Sequence, residues 1–288
     1  MRTKKRSCLR RLFLFTLLCS CLFLLPAYAH GAEKCRATSN SSGVVTVRTT
    51  KGTTVASFKL DGSLQVGYGA VRDGKLIYFT TYKGYQGKNN YLYTYSTDKK
   101  LVTLLCKLPT GYFSFDVNDL YSGSLYLTGW NPSDNASCYR WYIKNKKLKK
   151  LAASSYAERY GKYILLDDTL TMGSFFLFHL RVYDTAKQKL TTLTSKCGGW
   201  SRSGSTIYFA QKTGGNYNNY TYKIRSYSLS SRKYKTIKTG FKAFNVGKIT
   251  SKYIYYTTNG GGKCYRYTIK TKKKAAMSFT AYAKAVGA

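Results

Sequence analysis

The ten residues CYRWYIKNKK (Cys138–Lys147) return almost unchanged as CYRYTIKTKK (Cys264–Lys273). Looser versions are YLYTYSTDKK, RVYDTAKQK and RSYSLSSRK, which end at Lys100, Lys189 and Lys233, so successive copies close 47, 42, 44 and 40 residues apart. A second phrase lies upstream of each: DGKLIYF (Asp73–Phe79), SGSLYL (Ser122–Leu127), YGKYILL (Tyr160–Leu166), SGSTIYF (Ser203–Phe209) and TSKYIYY (Thr250–Tyr256). A unit this short cannot bury its own apolar face, so repetition at this period demands that neighbouring units stack.

Each unit reads as four short strands. A Gly or Ser turn leads into a β-branched and aromatic run, then a Gly/Asn-rich loop. The alternating strand of the opening phrase follows, then a tight Lys-rich turn and a last strand such as LVTLL or LKKLA. Tyr and Phe suit such a pleated, half-buried surface. Four strands in roughly 40 to 50 residues mark a β-propeller blade. Five full units fit between Gln65 and Ser278. The C-terminal FTAYAKAVGA (Phe279–Ala288) resembles the start of the first unit, LQVGYGAV (Leu64–Val71), while VVTVRTT (Val44–Thr50) and TTVASFKL (Thr53–Leu60) read as later strands of a blade. The expectation is an all-β propeller of six blades, four antiparallel strands each, closed by both termini with the C-terminal strand innermost. Seven blades is the alternative.

Residues 1–29 read as a signal peptide and residues 30–288 as a single propeller domain. MRTKKRSCLRR is a basic leader, LFLFTLLCSCLFLLP (Leu12–Pro26) an apolar stretch, and Ala27-Tyr28-Ala29 a cleavage site. The apolar stretch is short for a membrane span, and no transmembrane segment is expected after cleavage. The product is expected to be secreted or held at the cell surface, as a monomer. Removing the leader takes six of the 48 basic residues and none of the 11 acidic ones, which leaves a charge of +31. Such a balance points to an anionic partner. Cys8, Cys19 and Cys21 leave with the leader. The remaining Cys35, Cys106, Cys138, Cys197 and Cys264 are odd in number and widely spaced. They form neither a disulfide framework nor a metal-ligand spacing, so they read as small core residues. No cofactor and no metal is expected.

The phrases GxLIYY/F, LYxY, a polar turn ending in Lys, and KL resemble the TolB-like and low-density-lipoprotein-receptor-type (YWTD-like) six-bladed propellers. They are more closely similar to propeller domains of secreted proteins of Gram-positive bacteria. The resemblance covers nearly the whole mature chain. It implies the six-bladed fold and, since such propellers serve mostly as binding modules and some as enzymes, a binding role. The strict YWTD tetrapeptide is absent, so no family site residue carries over.

A blade alternates its turns between two faces. The third-to-fourth turns collect cations: Lys99, Lys100, Lys146, Lys147, Lys189, Arg232, Lys233, Lys272 and Lys273. A ring of like charge attracts a polyanion through salt-sensitive contacts. The plainer reading is that lysine guards edge strands against aggregation. The opposite face carries the longer loops and the blade connections, with Tyr82, Tyr85, Tyr112, Trp130, Asn131, Trp200, Asn216 and Tyr217. Aromatics beside amides suit sugar faces and hydroxyls, although Gly, Asn and Tyr are also ordinary loop residues. Catalysis is not expected. His179 lies in an apolar strand, Asp167 and Asp168 adjoin and so point apart, and Asp116 and Asp119 are candidates only for the central channel. There is no GxSxG elbow. The expected function is non-catalytic binding of an anionic wall polymer or acidic glycan, with a surface-protein scaffold as the alternative and a polysaccharide hydrolase or lyase third. Nucleic acid ranks lower, because export makes it an uncommon partner.

Overall fold

A computed structural model describes residues 32–60, 63–84, 89–131, 136–168, 177–216 and 219–287. The expected signal peptide lies outside the described residues. The described residues begin with three strands, β1 (Glu33–Ser39), β2 (Val44–Thr49) and β3 (Thr54–Lys59). Five four-stranded antiparallel units follow. The first has an interrupted inner strand, β4 (Gln65–Val66) and β5 (Gly69–Asp73), then β6 (Leu76–Tyr82), β7 (Tyr91–Ser96) and β8 (Leu101–Lys107). The second is β9 (Ser114–Tyr121), β10 (Ser124–Trp130), β11 (Ala136–Tyr142) and β12 (Lys147–Ala152). The third is β13 (Ser155–Tyr160), β14 (Tyr163–Asp167), β15 (Phe178–Asp184) and the first part of β16 (Lys189–Ser203). The rest of β16 begins the fourth, with β17 (Thr206–Asn216), β18 (Asn219–Ser228) and β19 (Tyr234–Ala243). The fifth is β20 (Asn245–Ile249), β21 (Tyr253–Thr258), β22 (Lys263–Thr268) and β23 (Lys273–Met277). The five repeats thus fall between Gln65 and Met277, where the sequence period places them.

The repetition extends to the backbone. Lys100, Lys146, Gln188, Arg232 and Lys272 occupy the same place in the five third-to-fourth turns, all with φ between +50° and +57°. A turn followed by one left-handed residue is a common way to close a hairpin of this length. In four units the outer strand then skips register around one aliphatic residue, Leu105, Leu151, Leu193 or Ile237. Such bulges twist the outer edge and blunt it for further pairing.

The cores lie between units. Val71, Tyr78 and Leu92 of the first unit pack with Phe115, Val117, Leu127 and Trp141 of the second. Tyr126 and Cys138 pack with Tyr156, Ile164 and Tyr183 of the third. Leu165, Val182 and Leu193 meet Ile207, Phe209 and Tyr227, and Tyr222 and Ile224 meet Val246, Ile249 and Ile254. Fully burying one such side chain stabilises by about 1.5–3 kcal/mol, so each interface is held by several.

Two expectations are corrected. The C-terminal segment is not an innermost strand but a helix, α1 (Phe279–Val286). Its alanines favour helix, the Ser278 hydroxyl accepts from the Ala281 N–H, and Gly287 closes the end in the left-handed conformation. Tyr282 is buried against Gly247, and Lys248 Nζ donates to the Ala285 carbonyl at 2.8 Å. At the other end β1 pairs with both β2 and β5, which joins the opening strands to the first unit. Among the described residues no sheet holds strands from both termini. The passage from the third unit to the fourth runs through Gly198 and Gly199, inside the continuous β16. A Cβ on Gly198 would overlap the Tyr222 ring, and one on Gly199 the Val246 carbonyl. All five described cysteines are free thiols, and only Cys106 is less than fully buried.

Candidate functional site

The loop face carries an open cleft where β1, β4 and the ends of β6 and β10 meet. Its geometry begins with Gly-Tyr-Gly. Gln65 and Val66 pair with Tyr82 and Thr81, and the Gly67 N–H donates to the Thr80 carbonyl at 2.9 Å. A Cβ on Gly67 would overlap the Phe115 carbonyl and the Thr80 hydroxyl, so only glycine fits. Two residues on, the Gly69 N–H donates to Asp116 Oδ1 at 2.9 Å. With both flanking backbones pressed against β9, Tyr68 turns outward and is 55% exposed. The Arg36 guanidinium stands 5.3 Å from the centre of its ring.

Asp116 also accepts from Trp130 Nε1 at 2.8 Å, which fixes the indole at the opposite wall. The cleft encloses about 690 Å³, lined among others by Asn40, Gln65, Tyr68, Tyr82, Asp116 and Trp130. Asn40 Oδ1 accepts from the Ser42 and Val44 backbone N–H groups, which holds this residue at the rim of the cleft. Aromatic rings beside amides and hydroxyls in a wide, solvent-open groove suit a flexible polar chain such as a saccharide better than a compact apolar molecule.

Of the loop-face residues expected from sequence, Tyr82 and Trp130 meet in this cleft, and the half-buried Asn131 follows Trp130 directly. Tyr112 is buried, its hydroxyl 2.8 Å from that of Tyr139 and its ring against Phe115, so it belongs to the core rather than to a ligand surface. Trp200 is half-buried in another unit, where its Nε1 donates to Asp167 Oδ2 at 3.0 Å. Asn216 is exposed at the end of β17. Tyr85 and Tyr217 lie outside the described residues. Sequence reasoning missed Tyr68, Asn40 and Gln65. The Gly-Tyr-Gly of LQVGYGAV was the signal for Tyr68, because paired glycines mark a close backbone approach.

On the turn face Lys99, Lys100, Lys146, Lys147, Lys189, Arg232, Lys233, Lys272 and Lys273 are all exposed. Arg232 is not a free cation: it donates to Asp184 Oδ2 of the preceding unit at 2.6 Å. Gln188, at the matching turn position, likewise accepts from the Tyr142 hydroxyl of its preceding unit at 3.3 Å. Two of the five turns therefore latch neighbouring units. Asp98 sits in the first of these turns, held at about 2 by the Ser96 hydroxyl, the Lys99 N–H and Lys75.

The carboxylates are mostly engaged in the scaffold. Asp119 accepts from Arg159 Nε at 2.6 Å and from the Tyr156 hydroxyl at 2.7 Å. Glu158 pairs with Arg202 at 2.6 Å, and Glu33 with Arg72 at 3.7 Å. Asp167 and Asp168 do point apart. Asp167 accepts from Trp200 and Ser155, whereas Asp168 Oδ2 lies 2.6 Å from His179 Nδ1 and 3.7 Å from Arg181. His179 is accordingly a half-exposed residue on a buried carboxylate, not a core histidine. Among the described residues no cluster of His, Cys, Asp and Glu could hold a metal ion.

With so few carboxylates, tyrosine faces take their place beside many cations. Lys274 lies 3.6 Å from the Tyr265 ring centre, Lys212 3.9 Å from that of Tyr220, and Arg140 4.3 Å from that of Tyr142. Such contacts stabilise by about 0.5–1 kcal/mol at exposed sites and leave the net charge unchanged. That explains how a chain with 48 basic residues and 29 tyrosines keeps its cations close to its own surface.

No protein-family model matches the chain, and no curated protein matches it. Among solved structures it is similar to TolB from Acinetobacter baumannii at 14% identity, covering 84% of this chain and 62% of that one, with a TM-score of 0.36. The chain thus spans less than two thirds of that TolB. It is similar at 10% identity to a chain of a nidogen/laminin complex, covering 88% of this chain and 95% of that one, TM-score 0.36. An oligogalacturonate lyase from Vibrio parahaemolyticus gives 7% identity, 79% and 72% coverage and a TM-score of 0.44. These are propeller proteins. The likenesses are loose, and the assignment of blades rests on the strand pairings themselves. No helix among the described residues is long and apolar enough to cross a membrane.

Proposed function

We propose that this chain is an exported, non-catalytic binding module for an anionic polysaccharide of the cell envelope or extracellular space. In this reading β1–β3 take the place of a sixth blade. The cleft grips sugar rings between Tyr68, Tyr82 and Trp130, while the lysine turns raise the local concentration of the charged polymer. The observation that carries the reading is the cleft itself: its one mapped carboxylate, Asp116, accepts hydrogen bonds on both oxygens, leaving aromatic faces and amides toward the groove. Such a surface binds carbohydrate without acid–base chemistry.

The test is co-sedimentation of the exported chain with cell walls, prepared with and without their anionic polymers, across a salt series. Binding that needs the polymer is expected to weaken steeply with salt, since exposed charges are screened. Trp130→Ala is expected to lower binding at every salt concentration. Replacing Lys99, Lys100, Lys146, Lys147, Lys272 and Lys273 by Gln is expected to flatten the salt dependence. Wall binding indifferent to Trp130→Ala would remove the cleft from the mechanism.

A further inference from the structure

The outer strands of the five units can be compared position by position, because each begins opposite the end of its unit's third strand. The residue facing that end is Leu101 in β8, but Lys147, Lys189, Lys233 and Lys273 in the other four. Three residues further on stands Leu104 in β8, against Lys150, Thr192, Thr236 and Ala276. Leu101 is 55% exposed and Leu104 52%. Lysine at an edge discourages the approach of another strand, and an exposed apolar edge invites it. In sheet order β8 ends its sheet, so among the described residues no strand lies beside its outward N–H and C=O groups. A shallow groove of about 370 Å³ runs along the same stretch, lined among others by Leu76, Thr94, Ser96, Lys99, Leu101 and Thr103.

We infer that β8 is a docking edge for an extended segment of another protein, one with apolar side chains at its centre and carboxylates at its ends, which adds as a further strand over Leu101–Leu104. The charges set the partner's chemistry. Lys99 and Lys100 stand at one end of the strand and Lys107 at the other, all exposed. A second copy of this chain would bring the same lysines to the edge, and a charge of +31 once the expected leader is removed, so self-pairing is opposed. A strand with acidic ends meets both the apolar middle and the cationic flanks. Main-chain hydrogen bonds supply the affinity, and Leu101 and Leu104, three positions apart and so on opposite faces of the sheet, give the added strand one apolar contact on each face.

The probe is a synthetic nine-residue peptide of alternating threonine and valine with glutamate at each end, titrated by fluorescence anisotropy against the purified chain. Saturable binding is expected, together with slowed hydrogen exchange at the β8 amides. The variant carrying Leu101→Lys and Leu104→Lys should keep its circular dichroism spectrum and bind at least about tenfold more weakly, a loss of about 1.4 kcal/mol. Non-specific attraction predicts the opposite, because that variant gains two positive charges. A peptide with lysine ends should also bind at least about tenfold more weakly. The inference is overturned if the acidic peptide does not saturate, or if the double variant binds it equally or better. It is also overturned if sedimentation velocity shows a dimer that the double variant abolishes, since the edge would then belong to a second copy.

Discussion

The cations of the inner strands and those of the third-to-fourth turns behave differently. On the inner strands the sequence writes arginine two residues before a turn glycine: Arg72 before Gly74, Arg159 before Gly161, Arg202 before Gly204. Each guanidinium reaches the carbonyl of that glycine and a carboxylate: Asp119 or Glu158 on the inner strand of the preceding unit, or Glu33 on β1 beside β5 in the same sheet. The planar fork serves two acceptors at once, which lysine's single ammonium does with less directional control. In the turns lysine predominates, exposed and for the most part without a carboxylate. Asp119 and Glu158 thus tie the inner strands of adjacent units together, while most of the turn lysines keep their charge at the rim. The type of cation tells which task a position has.

The largest effect that would break this contrast comes from its most buried pair. Arg159→Ala leaves Asp119, whose side chain is 5% exposed, without its ion-pair partner. The expected cost is about 3–5 kcal/mol, read as a lower urea midpoint. Arg159→Lys should restore only part of it. The Arg202–Glu158 pair sharpens the comparison because its side chains are 22% and 36% exposed. Glu158→Gln should cost no more than about 1 kcal/mol, and high salt should erase the difference.

The smallest effect belongs to the turns. The Asp98 carboxyl has its pKa lowered to about 2, below the ordinary value of about 3.9. Its contribution is therefore complete above the unfolded value and disappears as pH falls from about 4 towards 2. Asp98→Asn should remove only that slight slope from an acid titration of stability. A steep slope lost in this variant would mean that the turns share the inner strands' task.

The units were legible because a period with turn signals survives any later choice of partner. The left-handed turn residues and their strand ends lie where the phrases put them. The C-terminal helix was misread because FTAYAKAVGA shares with LQVGYGAV a tyrosine between small residues and a following Ala-Val. Those same alanines, between a serine cap and Gly287, favour a helix once Tyr282 has a pocket against Gly247. Within the cleft, Tyr82 and Trp130 were visible as loop aromatics. Their meeting with Asn40 and Tyr68 was not, since it depends on β1 pairing with β5 rather than closing a ring with the other terminus. The hydrogen bond from Trp130 to Asp116 spans 14 positions and the one from Trp200 to Asp167 spans 33. No local pattern encodes such separations.

The described thiols, two in the first sheet and one in each of the other three, have a chemical consequence. A thiol reacts as its thiolate, and an oxidising medium selects for those that ionise. Burial pushes Cys138 and Cys197 far above the range in which a thiolate forms near neutral pH, and raises Cys35 as well. Packing therefore makes these sulfurs inert without joining them. Cys106, less deeply covered on β8, is raised to about 11. Among the described thiols it is the least covered, and so the one an alkylating reagent is expected to reach first.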